Sequence, residues 1–417
     1  MKWLEFMREM GAASRIALDQ MNNITADQRT KALSRYAHLL RQQIPDIITS
    51  NQQDITAART KNISHSQLDR LTLNTQRIDR IAIAVEEIAR QPDPIGRVLA
   101  GWDRPNGLRI ERVSVPLGTI GIIYESRPNV TADAAALCLR SGNAAILRCG
   151  SESFVSSQKI YQILVQALHE TGLPENIIQF VPTTDREAVT AMLQLNDYLD
   201  VIIPRGGKSL VTKIQSESRV PVLGHLEGLC HTYIDADADP VMAKQVVLNA
   251  KMRRPGICGA TETVLVDIAA QHMLLPIVQD LINAGCEIRG DATIQRMHPA
   301  VIPATEEDWR TEYLAPILSI RMVGGVEGAI SHIRHYGTRH TEAIITQNLV
   351  TAQKFMQQVD AGIVMHNTST QFADGGEFGM GAEIGISTSK LHARGPVGAE
   401  QLTSFKYLVY GKGQLRP

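Results

Sequence analysis

The sequence predicts an α/β protein of two lobes, with a doubly wound parallel sheet in the first. Short apolar runs without polar alternation, such as Gly118–Tyr124, describe strands buried on both faces. Such runs alternate with helical patterns as far as Leu223, the signature of strand–helix–strand units. A second strand–helix series follows Cys258. A chain of 417 residues exceeds one hydrophobic core, and ~100–200 residues per domain suggests two or three domains.

The first hundred residues read as helices. Leu33, Tyr36, Leu40, Ile44 and Ile47 recur at steps of three and four, as do Ile78, Ile81, Val85 and Ile88. Thr25 and Asp27 are suitable caps for the first pattern, and Pro92-Asp93-Pro94 stops the last. Gly107–Pro116 alternates apolar with charged residues, a strand with one wet face that suits a hairpin or an intersubunit arm. After the buried run at 118–124, helices are expected over 132–140, 153–171, 186–195 and 208–217. Strands are expected over 144–147, 177–181, 199–203 and 220–223. The second series has strands at 263–266, 316–322 and 342–346 with helices at 273–284 and 325–336, and the lobe boundary is placed near residue 235.

Composition is that of a globular protein, 44% hydrophobic and 20% charged, which excludes disordered and fibrous classes. Lys plus Arg (42) balances Asp plus Glu (43), so no footprint for nucleic acid or an anionic membrane is present. The opening residues are charged, with no apolar leader, and no later stretch holds ~18 apolar residues in a row; a cytoplasmic location is the expectation. Five cysteines without CxxC spacing suggest neither a disulfide framework nor a zinc site. His335 with His340, and His225 with His231, lack the i,i+4 spacing of a metal helix, and no metal is assigned.

The richest stretch is Asn249-Ala-Lys-Met-Arg-Arg-Pro-Gly-Ile-Cys-Gly259. It sets Cys258 behind Lys251, Arg253 and Arg254 and between two glycines. Nearby cations lower a thiol's pKa from about 8.5, and glycines admit a substrate to the sulfur. A small buried hydrophobe is the other reading of such a cysteine. Gly207-Lys208-Ser209 ends like a phosphate loop, but Ile202 stands where that motif needs glycine. Pro204-Arg205-Gly206-Gly207 still leads from a strand into a helix, where backbone N–H groups hold a phosphate or simply close a turn. No Gly-x-Gly-x-x-Gly follows a strand, so a nicotinamide cofactor needs another geometry. A glycine-rich polar segment from Thr368 to Pro396 carries Lys390, His392 and Arg394, which suit a carboxylate or phosphate.

Several stretches stand in order along the chain: Tyr124-Glu-Ser-Arg-Pro-Asn-Val-Thr131, Ser141-Gly-Asn-Ala-Ala-Ile-Leu-Arg148, Ile203-Pro-Arg-Gly-Gly207, Asn249-Ala-Lys251 with Arg254-Pro255 and Cys258, and Lys390-Leu-His-Ala-Arg-Gly-Pro396. Together they resemble the gamma-glutamyl phosphate reductase family of the aldehyde dehydrogenase superfamily. The resemblance implies an aldehyde dehydrogenase-like fold: a cofactor-binding domain over residues 1–101 and 118–235, a catalytic domain over 236–385, and a β oligomerisation arm from 102–117 and 386–417. It also implies NADPH-dependent reduction of L-glutamyl 5-phosphate to L-glutamate 5-semialdehyde and phosphate, the second step of proline biosynthesis from glutamate. Implied partners are further copies of the chain in a homo-oligomer and glutamate 5-kinase.

By the same resemblance Cys258 is the nucleophile and carries a thioester, and Asn129 is the oxyanion donor, although read alone Asn129 also suits a helix cap. Arg148, Arg205, Gly206, Gly207 and Glu312 would bind the cofactor, and Lys251, Arg254, Lys390 and Arg394 the substrate. Read alone, Glu312 is a solvated charge. Two departures stand out: Cys149-Gly150-Ser151 replaces the usual Gly-Gly-Lys, removing a lysine suited to a 2′-phosphate, and Gly256-Ile257-Cys258-Gly259 replaces Ser-x-Cys-Asn. NADPH is favoured, with NADH left open. The alternatives are a hydrolytic aldehyde dehydrogenase acting on a small semialdehyde, with Glu227 as its base, and a metabolite-binding protein of the same fold.

Overall fold

The computed structural model describes residues 2–61, 63 and 65–416. It divides into two compact units, the first Met1–Gly224 with Gly379–Gly385 and Pro396–Pro417, the second His225–Phe378 with Ile386–Gly395.

The first unit opens with α1 (Lys2–Met21), α2 (Ala26–Gln42), α3 (Ile44–Thr60), α4 (His65–Leu71) and α5 (Thr75–Arg90). Thr25 caps α2 through reciprocal bonds with Gln28, a capping box. The pattern from Leu33 to Ile47 is two helices that break at Gln43, because Pro45 lacks an N–H and is tolerated only in a first helical turn. Then follow β1 (Val98–Asp103), β2 (Arg109–Pro116), β3 (Thr119–Tyr124), α6 (Asn129–Arg140), β4 (Ala144–Cys149), α7 (Phe154–Thr171), β5 (Ile178–Phe180), α8 (Arg186–Met192), β6 (Val201–Arg205) and α9 (Lys208–Glu217). Strands β3 to β6 form a parallel sheet in the order β5-β4-β3-β6. Every residue of β3 and β4 is buried, which is why these strands read as continuous apolar runs. The strand expected at 220–223 is reduced to a single bridge between Val222 and Ile202, since Pro221 has no N–H for a ladder.

The second unit holds β7 (Cys230–Ile234), α10 (Pro240–Met252), β8 (Thr261–Asp267), α11 (Leu274–Asn283), β9 (Glu287–Gly290), α12 (Ala292–Gln295), β10 (Ile302–Pro303), β11 (Ile317–Val323), α13 (Gly325–Tyr336), β12 (Thr341–Ile345), α14 (Leu349–Gln358) and β13 (Ile363–His366). Its sheet runs β10-β9-β11-β8-β7-β12-β13. Neighbouring strands in it are parallel. Val247 of α10 and Leu274, Ile277 and Leu281 of α11 cover one face against Val264, Val266 and Ile320. Ile330, Ile333 and Phe355 cover the other against Tyr233, Leu265 and Ile344. Each such side chain contributes ~1.5–3 kcal/mol on burial, so this core is stable enough to hold loops at its strand ends.

The division falls at Gly224, ahead of the expected position near residue 235, because β7 pairs with β8 and β12 in the middle of the second sheet. The second unit's strand–helix series therefore starts before Cys258. Short strands β14 (Ile386–Ser387) and β15 (Gly395–Pro396) precede β16 (Thr403–Tyr410), which pairs antiparallel with β2, while β1 takes the other side of β2. This three-stranded sheet joins the alternating segment Gly107–Pro116 to a strand of the C-terminal segment and adds β1. Residues Ile386–Gly395, assigned to the arm from the sequence, sit instead in the second unit.

Candidate active site

In the second unit, Asp239 caps α10, which ends at Met252, and the chain turns through Pro255–Ala260 into β8. Cys258 lies on this turn, half-buried, whereas Cys138, Cys149, Cys230 and Cys286 are buried. Burial pushes those four thiols up, Cys149 and Cys286 to about 12. Burial acts on Cys258 in the same sense but is outweighed: the charge of His340 and hydrogen bonds with His225 and His340 hold this thiol well below its usual range.

The sulfur and one ring nitrogen from each of His225 and His340 lie within 4.8 Å of one another. His225 Nδ1 stands 2.6 Å from the Ile386 carbonyl, so that nitrogen carries the proton and Nε2 is the one offered to the thiol. His340 is fully buried beside Thr341, whose Oγ1 is 2.9 Å from Nδ1. The two rings meet edge to face at 4.7 Å. These histidines, rather than Lys251 or Arg253, are the groups on the thiol.

The cations anticipated from the sequence have other partners. Lys251 Nζ is bonded to Glu262, both side chains being buried. Burial raises the Glu262 carboxyl to about 7 against the pull of Lys251, and its Oε1 accepts the Leu314 N–H at 3.1 Å. Arg253 donates to Gln371 Oε1 at 3.4 Å. Lys390 and Arg394 both bind Asp360, at 2.9 and 2.6 Å, and hold its carboxyl at about 2. Glu312 accepts the Gly228 N–H at 2.9 Å, with burial raising its carboxyl. A Cβ on Gly228 would stand 2.4 Å from the Cys258 carbonyl oxygen, so the thiol turn requires glycine there. Glu312 is thus a half-buried acceptor behind the thiol turn and not the solvated charge of its isolated reading.

In the first unit, Arg148, Ser151, Glu152, Arg186 and Lys213 line a cavity of about 250 Å³ with Glu125. The Arg148 guanidinium donates to the Thr184 carbonyl at 2.9 Å, which fixes it at the end of β4. Arg148 Nε and Glu152 Oε2 are buried without a hydrogen-bond partner in the protein, the condition a polar ligand relieves. Arg205 and Gly206 lead into Gly207, whose N–H at the start of α9 donates to Glu125 Oε2 at 3.2 Å. That N–H is thus held by a carboxylate of the chain itself, which an arriving anion would have to displace. Asn129 is the first helical residue of α6, behind the cap Pro128, and its amide donates to Asp133 at 2.9 Å. The capping alternative for Asn129 does not hold.

His225, Glu125, Arg186 and Lys213 escaped the sequence reading. In the sequence His225 pairs only with His231, at a spacing that makes no metal helix, and no local pattern links it to Cys258. His340 likewise stands out in the sequence only beside His335, at a spacing that makes no metal helix.

The two parallel α/β units and the separate antiparallel sheet define an aldehyde dehydrogenase fold. The aldehyde dehydrogenase family matches residues 5–284 and 285–407, and the chain belongs to it and, within it, to the gamma-glutamyl phosphate reductases. A gamma-glutamyl phosphate reductase of Parvibaculum lavamentivorans is 59% identical over 414 residues, covering 99% of this chain and 97% of its own. The crystal structure of gamma-glutamyl phosphate reductase from Thermotoga maritima superimposes with a TM-score of 0.94 at 44% identity, over 98% of this chain and 99% of that one. An engineered glycolyl-CoA reductase with bound NADP+ shares the fold alone, with a TM-score of 0.70 at 16% identity over 96% of each chain.

Proposed function

We propose that the chain reduces L-glutamyl 5-phosphate to L-glutamate 5-semialdehyde and phosphate through a thioester on Cys258. The observation that carries this is the single half-buried, depressed thiol held between His225 and His340. As thiolate, Cys258 attacks the acyl carbon, the bond from that carbon to the phosphate oxygen breaks, and phosphate leaves with the electron pair. One difficult step becomes two easier ones. The Asn129 amide and the Cys258 N–H are proposed donors to the developing oxyanion; losing one such donor typically costs ~10²–10³ in kcat. His225 and His340 keep the sulfur anionic and receive it as leaving group when the aldehyde forms.

NADPH, when bound, supplies the hydride that converts the acyl group to the aldehyde. Its adenosine end fits the first unit's cavity, whose orphaned Arg148 Nε and Glu152 Oε2 call for polar partners. Arg186 and Lys213 are proposed for the 2′-phosphate, in place of the lysine that Ser151 lacks. Glu312 is proposed for the nicotinamide ribose, Arg205 with the Gly206-Gly207 turn for the pyrophosphate side, and Arg254 for the leaving phosphate. Lys390 and Arg394 would meet the substrate's carboxylate by exchanging Asp360 for it. Exposed Trp102, Phe405, Tyr407 and Val409 on the three-stranded sheet support a homo-oligomer. Among the described residues no helix is long and apolar enough to cross a membrane; free thiols support a cytoplasmic setting, where the kinase that makes the acyl phosphate would be a neighbour.

The test runs the reaction backwards. Oxidation of glutamate semialdehyde with NADP+ should require inorganic phosphate and yield an acyl phosphate. Phosphate-independent release of the free carboxylate would establish the hydrolytic reading, with Glu227 as the candidate base.

A further inference from the structure

We propose that His225, Cys258 and His340 form a site for a soft divalent cation of the zinc class, and that its occupation withdraws the thiol from chemistry. Three segments distant in sequence bring one ligand atom each within 4.8 Å of the others. With Zn–N near 2.1 Å and Zn–S near 2.3 Å, the two nitrogens and one sulfur of a tetrahedral site stand roughly 3.4–3.6 Å apart. Side-chain shifts of about 1 Å therefore close this trio on a metal.

Two further features suit such a site. His225 Nδ1 is held by the Ile386 carbonyl at 2.6 Å, the outer bond that orients a ligating imidazole and leaves Nε2 for the ion. His340 is fully buried, so a ligand nitrogen on it is shielded from competing bulk water. Two imidazoles and a thiolate select zinc, cobalt or copper over magnesium or calcium, which prefer oxygen ligands. Three protein ligands leave the fourth position to water. A sulfur whose electron pair is committed to a metal has none to offer an acyl carbon. The binding stands on the geometry alone, whereas the inhibition rests on the proposed thioester chemistry.

The experiment uses the full chain, stripped with chelator, titrated with Zn²⁺ and in parallel with Co²⁺. One equivalent should bind, cobalt should give a thiolate-to-metal charge-transfer band, and iodoacetamide alkylation of Cys258 should slow at least ~10-fold and recover with EDTA. Cys258→Ser should remove the band, and His225→Gln should weaken Zn²⁺ binding by at least ~10-fold. An unchanged alkylation rate at saturating Zn²⁺, or undiminished affinity in Cys258→Ser, overturns the site. A protected thiol with undiminished reductase turnover would keep the site and overturn the thioester mechanism instead.

Discussion

Replacing Lys251 with methionine separates an internal strut from a phosphate ligand. Lys251 and Glu262 are almost fully buried, and burial raises the Glu262 carboxyl from 4.5 to about 7. A carboxyl raised on folding binds its proton more tightly in the native state. Its contribution to stability is therefore present below pH 4.5 and lost as pH rises through 7. At 1.36 kcal/mol per pH unit the wild type loses about 3 kcal/mol across that window. Without Lys251 the carboxyl moves further up, and the loss continues past pH 7 at about 1.4 kcal/mol per unit. Adding the missing charge-assisted bond, Lys251→Met should cost about 2 kcal/mol at pH 6 and about 3 kcal/mol at pH 8. Urea unfolding at the two pH values, followed by circular dichroism, measures this. The KM for the acyl phosphate should move less than about twofold, since a direct phosphate contact of ~1.5–3 kcal/mol corresponds to roughly 10–150-fold. A KM rise of that size with pH-independent, unchanged stability would refute the strut and restore Lys251 to the substrate.

Cys258→Ala should abolish turnover while NADPH still quenches protein fluorescence on binding; residual turnover above the uncatalysed rate would dismiss the thioester. His340→Ala should shift the pH midpoint of Cys258 alkylation upward by a unit or more, on the order of a lost neighbouring charge, and an unmoved midpoint would show that His225 alone sets it. Gly228→Ala should lower kcat by about tenfold or more, because the added Cβ, 2.4 Å from the Cys258 carbonyl oxygen, must push the thiol turn aside. Activity unchanged in that variant would mean the loop yields freely. Arg186→Ala should raise the KM for NADPH about tenfold and leave that for NADH nearly unmoved, and equal losses with both coenzymes would place Arg186 away from the 2′-phosphate.

Much of the fold is legible because local patterns agree with their surroundings. Helices α9 and α13 occupy the spans 208–217 and 325–336 that periodicity names, and β3 and the Val264-Leu265-Val266 run of β8 are apolar because they are buried throughout. Strand β7 was not legible. Cys230-His231-Thr232 reads as polar, yet the His231 backbone N–H and Nδ1 both bond Glu342, at 2.9 and 2.8 Å, and Thr232 bonds Thr261 at 2.7 Å. Those partners lie on β12 and β8, which only the folded sheet brings alongside.

The sequence by itself determined most of the alternation of strands and helices, the position of the thiol on a glycine-flanked turn, and the family, since each depends on neighbours within a few residues or on ordered motifs. Tertiary structure decided which charge serves which group. Lys251 went to Glu262, Lys390 and Arg394 to Asp360, and the Gly207 N–H to Glu125, while the thiol received two histidines from distant segments. The physical reason is that burial makes an unpaired charge costly, so each ion takes whatever opposite charge or donor the fold sets beside it. That choice depends on distance in space, which spacing along the chain does not encode.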